Sequence, residues 1–187
     1  MMPRLTLRRC VCGSWHGTSL KEIMVRGASC RFTEISSRAC RLVSGPWKMN
    51  IVKEEPALGG LSVEYTDYPD IRKRLAEVLG AMRRRPWENY DIAKLTKYFS
   101  HDLAALWKIH AFREGNTRTT IHFCCQFADE HGFPIDRQLF EENSHYVRTA
   151  LVAYNAVFSD IGDKSQKQYL EMFIRDGIEG VTRDGSL

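Results

Sequence analysis

A chain of 187 residues, 43% hydrophobic and 27% charged, is long enough to bury a core without metal or disulfide support, and it reads as one soluble globular domain of ordinary size. The formal charge of +4 is mild, with Lys and Arg scattered among Asp and Glu after residue 50, so a nucleic-acid stripe is excluded. No apolar run approaches the roughly 20 residues of a membrane span. Cysteine usage is lopsided: Cys10, Cys12, Cys30 and Cys40 fall in the first 40 residues and only Cys124 and Cys125 afterwards. Even with His16 nearby, the early spacings lack the paired C-x-x-C signature of a zinc site. The opening MMPRLTLRRCVCGSWHG is basic without a long apolar stretch, which argues against a secretory signal. Residues 1–44 are therefore read as a leader and 45–187 as the domain, with a cytoplasmic location and reduced cysteines as the default.

In chain order, MNIVKEEPALGGLSVEYTDY offers two short strand-like runs joined through Pro56 and Gly59-Gly60, a hairpin by turn chemistry. DIRKRLAEVLGAM then places Ile71, Leu75, Val78, Leu79 and Met82 on one helical face, with Asp70 as N-cap. RRRPW interrupts and reads as a solvated turn. ENYDIAKLTKYFSHDLAALWKIH carries Ile92, Leu95, Phe99, Leu103, Leu106 and Trp107 at helical spacing. A third helix suits Thr119 to about His131, closed by Gly132 and Pro134. DRQLFEENSHYVRTALVAYNAVF is a further long amphipathic helix and KSQKQYLEMFIRD the last. The expected fold class is mainly α, a helical bundle with one short β-hairpin.

Between the second and third helices lies HAFREGNTRTTIHF, residues 110–123. A His, an acid, a Gly-Asn pair and two Arg in so tight a cluster rarely serve packing. A helix beginning near Thr117 leaves backbone N–H groups unpaired, and their partial positive charge makes the preceding loop a seat for phosphate. Gly115 lets the backbone approach such a ligand, Asn116 can donate from its amide, and Arg118 adds a planar cationic fork. Glu114 makes sense beside a phosphate if it holds a divalent cation that bridges phosphate oxygens. His110, whose ordinary pKa lies near neutrality, is placed to remove a proton from an attacking hydroxyl. The remaining histidines, His101, His122, His131 and His145, read as ordinary polar groups. Trp107, Phe112, Phe123 and Phe127 read as core, and Cys124 and Cys125 as small core fillers.

In that order these residues resemble the signature of the Fic family, His-x-Phe-x-Asp/Glu-Gly-Asn-Gly/Lys-Arg followed by a second Arg three residues on. Six positions match: His110, Phe112, Glu114, Gly115, Asn116 and Arg118. The segment SGPWKMNIVKEEPALGG resembles the stretch leading into the family's flap, a β-hairpin beside the active site, and the likeness covers roughly residues 45–180. The resemblance implies a Fic-type bundle that transfers AMP from ATP to a Ser, Thr or Tyr hydroxyl of a target protein, with pyrophosphate leaving. It further implies His110 as general base, Phe112 packed inward and Glu114 on Mg2+ or Mn2+. Asn116 would steady the α-phosphate, Arg118 would hold the outer phosphates, and Gly115 with the Thr117 amide would complete the anion seat. The target would pair an extended segment with the flap edge; neither a nucleic-acid nor a membrane partner is implied.

Three departures from the signature stand out. Ala111 replaces a common Pro, Thr117 replaces Gly or Lys, and Ile121 occupies the second Arg position. In the family that Arg grips the γ-phosphate and answers an inhibitory Glu. Its loss predicts a loosely held γ-phosphate, and that Ile121→Arg would tighten ATP binding unless Ile121 belongs to the core. The inhibitory motif, Ser/Thr-x-x-x-Glu-Gly/Asn, is met only by Thr18 and Glu22, followed by Ile23; a separate inhibitory partner is the other route to control. Transfer of UMP, phosphocholine or phosphate is the alternative chemistry, and a catalytically weak nucleotide-binding module the alternative class. Glu114-Gly115 favours AMP transfer over the kinase-like Doc branch, whose motif lacks the metal-binding acid.

Overall fold

The structure, a computed structural model, describes residues 49–183, with side chains to residue 181. The leader, its four cysteines, Thr18 and Glu22 lie outside the described residues. Among the described residues six helices follow one another: α1 Ile71–Arg84, α2 Ile92–Ile109, α3 Asn116–Glu130, α4 Arg137–Glu142, α5 Ser144–Tyr154 and α6 Gln168–Arg183. Strands β1 Val157–Phe158 and β2 Gly162–Asp163 pair antiparallel, with Val157 opposite Asp163 and Phe158 opposite Gly162. The class is mainly α with one short hairpin, as the sequence predicts. Among the described residues no helix is long and apolar enough to cross a membrane.

Helix α2 is the axis of the bundle, packed against α1, α3, α5 and α6. Its start is fixed by the Asp91 carboxylate, which accepts from the Lys94 N–H at 2.8 Å. Leu95, Phe99, Leu103, Leu106 and Trp107 recur at helical spacing and are buried, whereas Ile92, counted with them from sequence, is 40% exposed one residue past the cap. On α1, Ile71, Leu75, Leu79 and Met82 face the core. Asp70 occupies its N-cap, but the backbone there is already helical (φ −91°, ψ −10°) and the side chain makes no capping bond. The helix stops where Arg85 turns extended ahead of Pro86, the conformation that a following proline imposes.

RRRPW is not the solvated turn expected. Arg83 and Arg84 are exposed, but Arg85 donates from Nε and Nη2 to both oxygens of buried Asp102, at 2.8 and 2.9 Å. Trp87 lies in the core and donates its indole N–H to the Met82 carbonyl at 2.8 Å. The stretch locks α1 to α2 by charge and by aromatic bulk.

Two further corrections concern boundaries. The long helix expected after Asp136 breaks at Asn143, whose amide donates to the Leu139 carbonyl at 2.8 Å and so competes with the backbone ladder. The hairpin expected in 49–68 is absent, and the one present comes a hundred residues later. Pro56–Leu58 forms a 3-10 turn instead, followed by Gly59 and Gly60 at φ 65° and 94°. The Glu55 carbonyl accepts from both Leu58 and Gly60, so the chain folds back through a knot of turn bonds and not a strand ladder. By contrast, α3 ends as the sequence predicts, at Gly132 with φ 70°.

Candidate functional site

Residues 110–115 link α2 to α3, and a left-handed residue brackets each end. His110 caps α2 at φ 50°, ψ 49°, the one non-glycine with positive φ among the described residues, and its N–H donates to the Trp107 carbonyl. That conformation costs a residue with a Cβ about 1–2 kcal/mol, so the surroundings must hold it. Gly115 caps α3 at φ 80°, where a residue without Cβ belongs. The loop is closed from inside. Asn116 Oδ1 accepts from the Phe112 N–H at 2.9 Å and Asn116 Nδ2 donates to the Phe112 carbonyl at 2.6 Å, both buried. Phe112 packs inward, and the Trp107 indole donates to Thr117 Oγ1 at 2.9 Å, tying the last turn of α2 to the first of α3.

This arrangement changes the expected work of two residues. The Asn116 amide holds the loop backbone, leaving one N–H of Nδ2 for a ligand; the Thr117 hydroxyl is an acceptor for Trp107 and keeps its own proton to donate. The first intrahelical bond of α3 runs from Thr119 N–H to the Gly115 carbonyl. The N–H groups of Asn116, Thr117 and Arg118 therefore lack a helical acceptor, and no side chain caps them. Arg118 and Glu114 stand exposed on either side of this seat.

His110, at the other end of the loop, is buried, with neither ring nitrogen hydrogen-bonded. Its imidazole rests on the Tyr65 ring at 4.1 Å between centroids and edge-on to Trp107 at 5.7 Å. Burial, with the positive charges of Lys53 and Arg148 nearby, pushes its pKa down to about 3, so the ring is neutral at pH 7 with two unused nitrogens. The Tyr65 hydroxyl donates to Glu55 Oε1 at 3.3 Å, and the same oxygen accepts from Arg148 Nη2 at 2.7 Å. Glu55 is 1% exposed. Burial and this carboxylate push the Tyr65 phenol above its ordinary range.

Sequence reasoning missed Glu55, Tyr65 and Arg148. Nothing in the tandem Glu54-Glu55 marks the second as buried, and its partner lies 93 residues away, beyond any local pattern.

Ile121 is buried within the core cluster, the condition under which an Arg there would be buried and would not serve a phosphate. His101 Nδ1 sits 2.9 Å from Asp102 and His131 Nδ1 is 2.9 Å from the Phe127 carbonyl, the satisfied polar roles expected of them. Cys124 and Cys125 are buried, and burial raises both thiols well above their ordinary range. A surface cleft of about 330 Å3 opens behind Tyr65, lined among others by Glu64, Asp67, Lys108 and Tyr154, and contains none of the motif residues.

Among the described residues no three His, Cys, Asp or Glu converge on a metal site. A single exposed carboxylate, Glu114, beside unpaired backbone donors nevertheless fits magnesium, which keeps several waters and takes one or two carboxylates plus substrate phosphates.

The model of the Fic/DOC family matches residues 31–128, just over half of the chain, and the described part of that match runs from residue 49 through the loop to Ala128 in α3. No curated protein and no solved structure matches.

Proposed function

Because the chain belongs to the Fic/DOC family, whose members are typically transferases that use ATP and a divalent metal, we propose that it transfers AMP from ATP to a Ser, Thr or Tyr hydroxyl of a target protein. The observation that carries this reading is a buried imidazole with neither ring nitrogen hydrogen-bonded, at one end of the loop whose other end leaves three N–H groups unpaired at the start of α3. The hydroxyl oxygen attacks the α-phosphorus, the bond to the β-phosphate oxygen breaks, pyrophosphate leaves, and the hydroxyl proton passes to His110. The backbone donors of Asn116, Thr117 and Arg118, with Gly115 allowing close approach, meet the charge of the α-phosphate. The Arg118 guanidinium pairs with the outer phosphates. Magnesium or manganese on Glu114 would neutralise phosphate charge when bound. Phe112 and Asn116 act from behind, fixing the loop that carries these groups. The target docks beside residues 50–66, where Val52 and Leu61 are exposed, without the strand edge the sequence predicted there. A cytoplasmic setting and control by a separate inhibitory protein belong to the same proposal.

Ile121 favours a second reading. With Ile121 in the core where the family has an Arg one turn beyond Arg118, the γ-phosphate has a weaker hold, so UMP, phosphocholine or phosphate transfer is the nearest alternative, or nucleotide binding with slow turnover. Incubation of the protein with lysate and either α- or γ-labelled ATP decides. Label from the α-phosphate should attach covalently to protein and fall about a hundred- to ten-thousand-fold in folded His110→Ala. Transfer of γ-label, or full activity in His110→Ala, rejects AMP transfer by this base.

A further inference from the structure

A base that must meet a hydroxyl is, in this structure, covered. Both ring nitrogens of His110 are closed off from solvent, and the ring that lies on it belongs to Tyr65, outside the motif. Tyr65 comes from residues 50–66, a strap that has no regular secondary structure beyond its short turn. The two ends of the strap are firmly tied. Thr66 N–H donates to the Lys108 carbonyl at 3.2 Å, and Asn50 bonds both the Asp67 carboxylate and the Tyr68 N–H, at 2.7 and 2.9 Å. The middle is held differently, by the carboxylate of Glu55. That group is buried, takes bonds from Tyr65 and from Arg148 of α5, and its backbone closes the turn through Leu58, Gly60 and Leu61.

We propose that the strap is a latched cover. Tyr65 screens and positions the His110 ring, the Glu55–Arg148 pair holds Tyr65 in place, and an acceptor hydroxyl reaches His110 when that pair opens. Three features make the pair a latch and not a permanent weld. It joins one buried carboxylate to an arginine whose side chain is 41% exposed, so the guanidinium has water at hand to replace its partner. Once the guanidinium leaves, an ionised Glu55 cannot stay buried, and it draws the turn outward with it. The ties at Asn50, Asp67 and Thr66 leave two hinges between which residues 53–62 lift, freeing Tyr65 to turn off His110 while Val63 stays in the core. Opening also hydrates His110, which returns its basicity toward that of a free imidazole. The same motion thus exposes the base and strengthens it. Lys53, the other cation whose field reaches His110, rides on the strap and leaves with it.

The proposal deepens the reading of His110 as the base, and diethyl pyrocarbonate, which acylates accessible neutral imidazole, reads the cover apart from any AMP transfer. In the full chain at pH 7, peptide mass spectrometry should show His110 labelled at least about tenfold more slowly than exposed His145. Arg148→Met and Glu55→Gln should each speed His110 labelling about tenfold or more without changing the rate at His145, while Arg148→Lys keeps it slow. Circular dichroism reports whether the helices survive. Should Arg148→Met lose helix because Glu55 is left unpaired, Glu55→Gln, which leaves no buried charge, carries the test. Wild-type His110 labelled as fast as His145, or labelling unmoved in helical Glu55→Gln, overturns the latch.

Discussion

The motif loop, residues 110–116, and the strap, residues 50–66, meet at a tilted ring contact between His110 and Tyr65, yet they are built by opposite means. The loop is closed by bonds four and ten residues apart, Asn116 to Phe112 and Trp107 to Thr117, and it joins two helices of the core. The strap is held by partners 93 and 95 residues away: Arg148 on Glu55, and Ser159, whose N–H and hydroxyl donate to the Glu64 carboxylate at 2.7 and 2.8 Å. Local closure makes a rigid seat that the bundle supports from both sides. Distant closure makes a cover whose hold depends on a few side chains, which suits a part that has to move.

The largest effect outside activity should come from Ile121, because it decides whether the seat extends along α3 or ends at Arg118. Its side chain lies in the core cluster, so Ile121→Arg buries a charge with no partner. The expected loss is about 3–5 kcal/mol of stability, seen as a large fall in Tm, with no gain in ATP affinity by calorimetric titration. Tighter ATP binding in a stable Ile121→Arg protein would place position 121 back at the phosphates.

Asn116→Ala comes next. It leaves the Phe112 N–H and carbonyl buried without partners, at about 1–3 kcal/mol for each group left unpaired. Denaturant melts should register that cost even in the absence of nucleotide, since the amide serves the loop first. An Asn116→Ala protein of unchanged stability would show that the amide had been free for ligand.

These two residues also show what was legible. The signature grouped His110, Phe112, Glu114, Gly115, Asn116 and Arg118, and the structure keeps them together, four on the loop and Asn116 and Arg118 in the first turn of α3, because a motif of contiguous residues is folded by its own short-range bonds. Helical periodicity located the buried faces of α1 and α2, since a stripe of apolar residues needs no knowledge of what it packs on. What it could not show was which side of Ile121 the core lay on, or that Arg85 and Trp87 would turn inward to Asp102 and Met82. Nor could turn chemistry tell a hairpin from the 3-10 turn at Pro56: both use Pro and Gly at those places, and the choice was made by a buried Glu55 whose partner is on α5.

Acid should weaken the site through His110. Its folded pKa, about 3, lies below the 6.5 of the free group, so its contribution is fully present above pH 6.5 and is lost as pH falls toward 3, where the unfolded chain binds a proton that the native state refuses. At pH 5 that amounts to roughly 2 kcal/mol at 1.36 kcal/mol per unit. Urea melts between pH 7 and pH 5 should show this loss in the wild type and a shallower slope in His110→Gln. Parallel slopes would mean that His110 is already hydrated and the cover open.

The smallest effect compares the two regions by one and the same substitution. Gly115 and Gly59 both hold positive φ, 80° and 65°, and an added Cβ would meet no atom within 4 Å at either place. Alanine therefore costs about 1–2 kcal/mol of backbone strain at each, without a clash. In Gly115→Ala that strain sits between α2 and α3 and is relieved only when the helices part, so the Tm should fall by several degrees. In Gly59→Ala it sits in the strap, which on the latch reading opens before the helices melt; the Tm should hold, while amide exchange quickens over residues 53–63. Equal falls in Tm, with no local change in exchange, would mean that strap and loop unfold as one unit and that nothing swings clear of His110 in the native state.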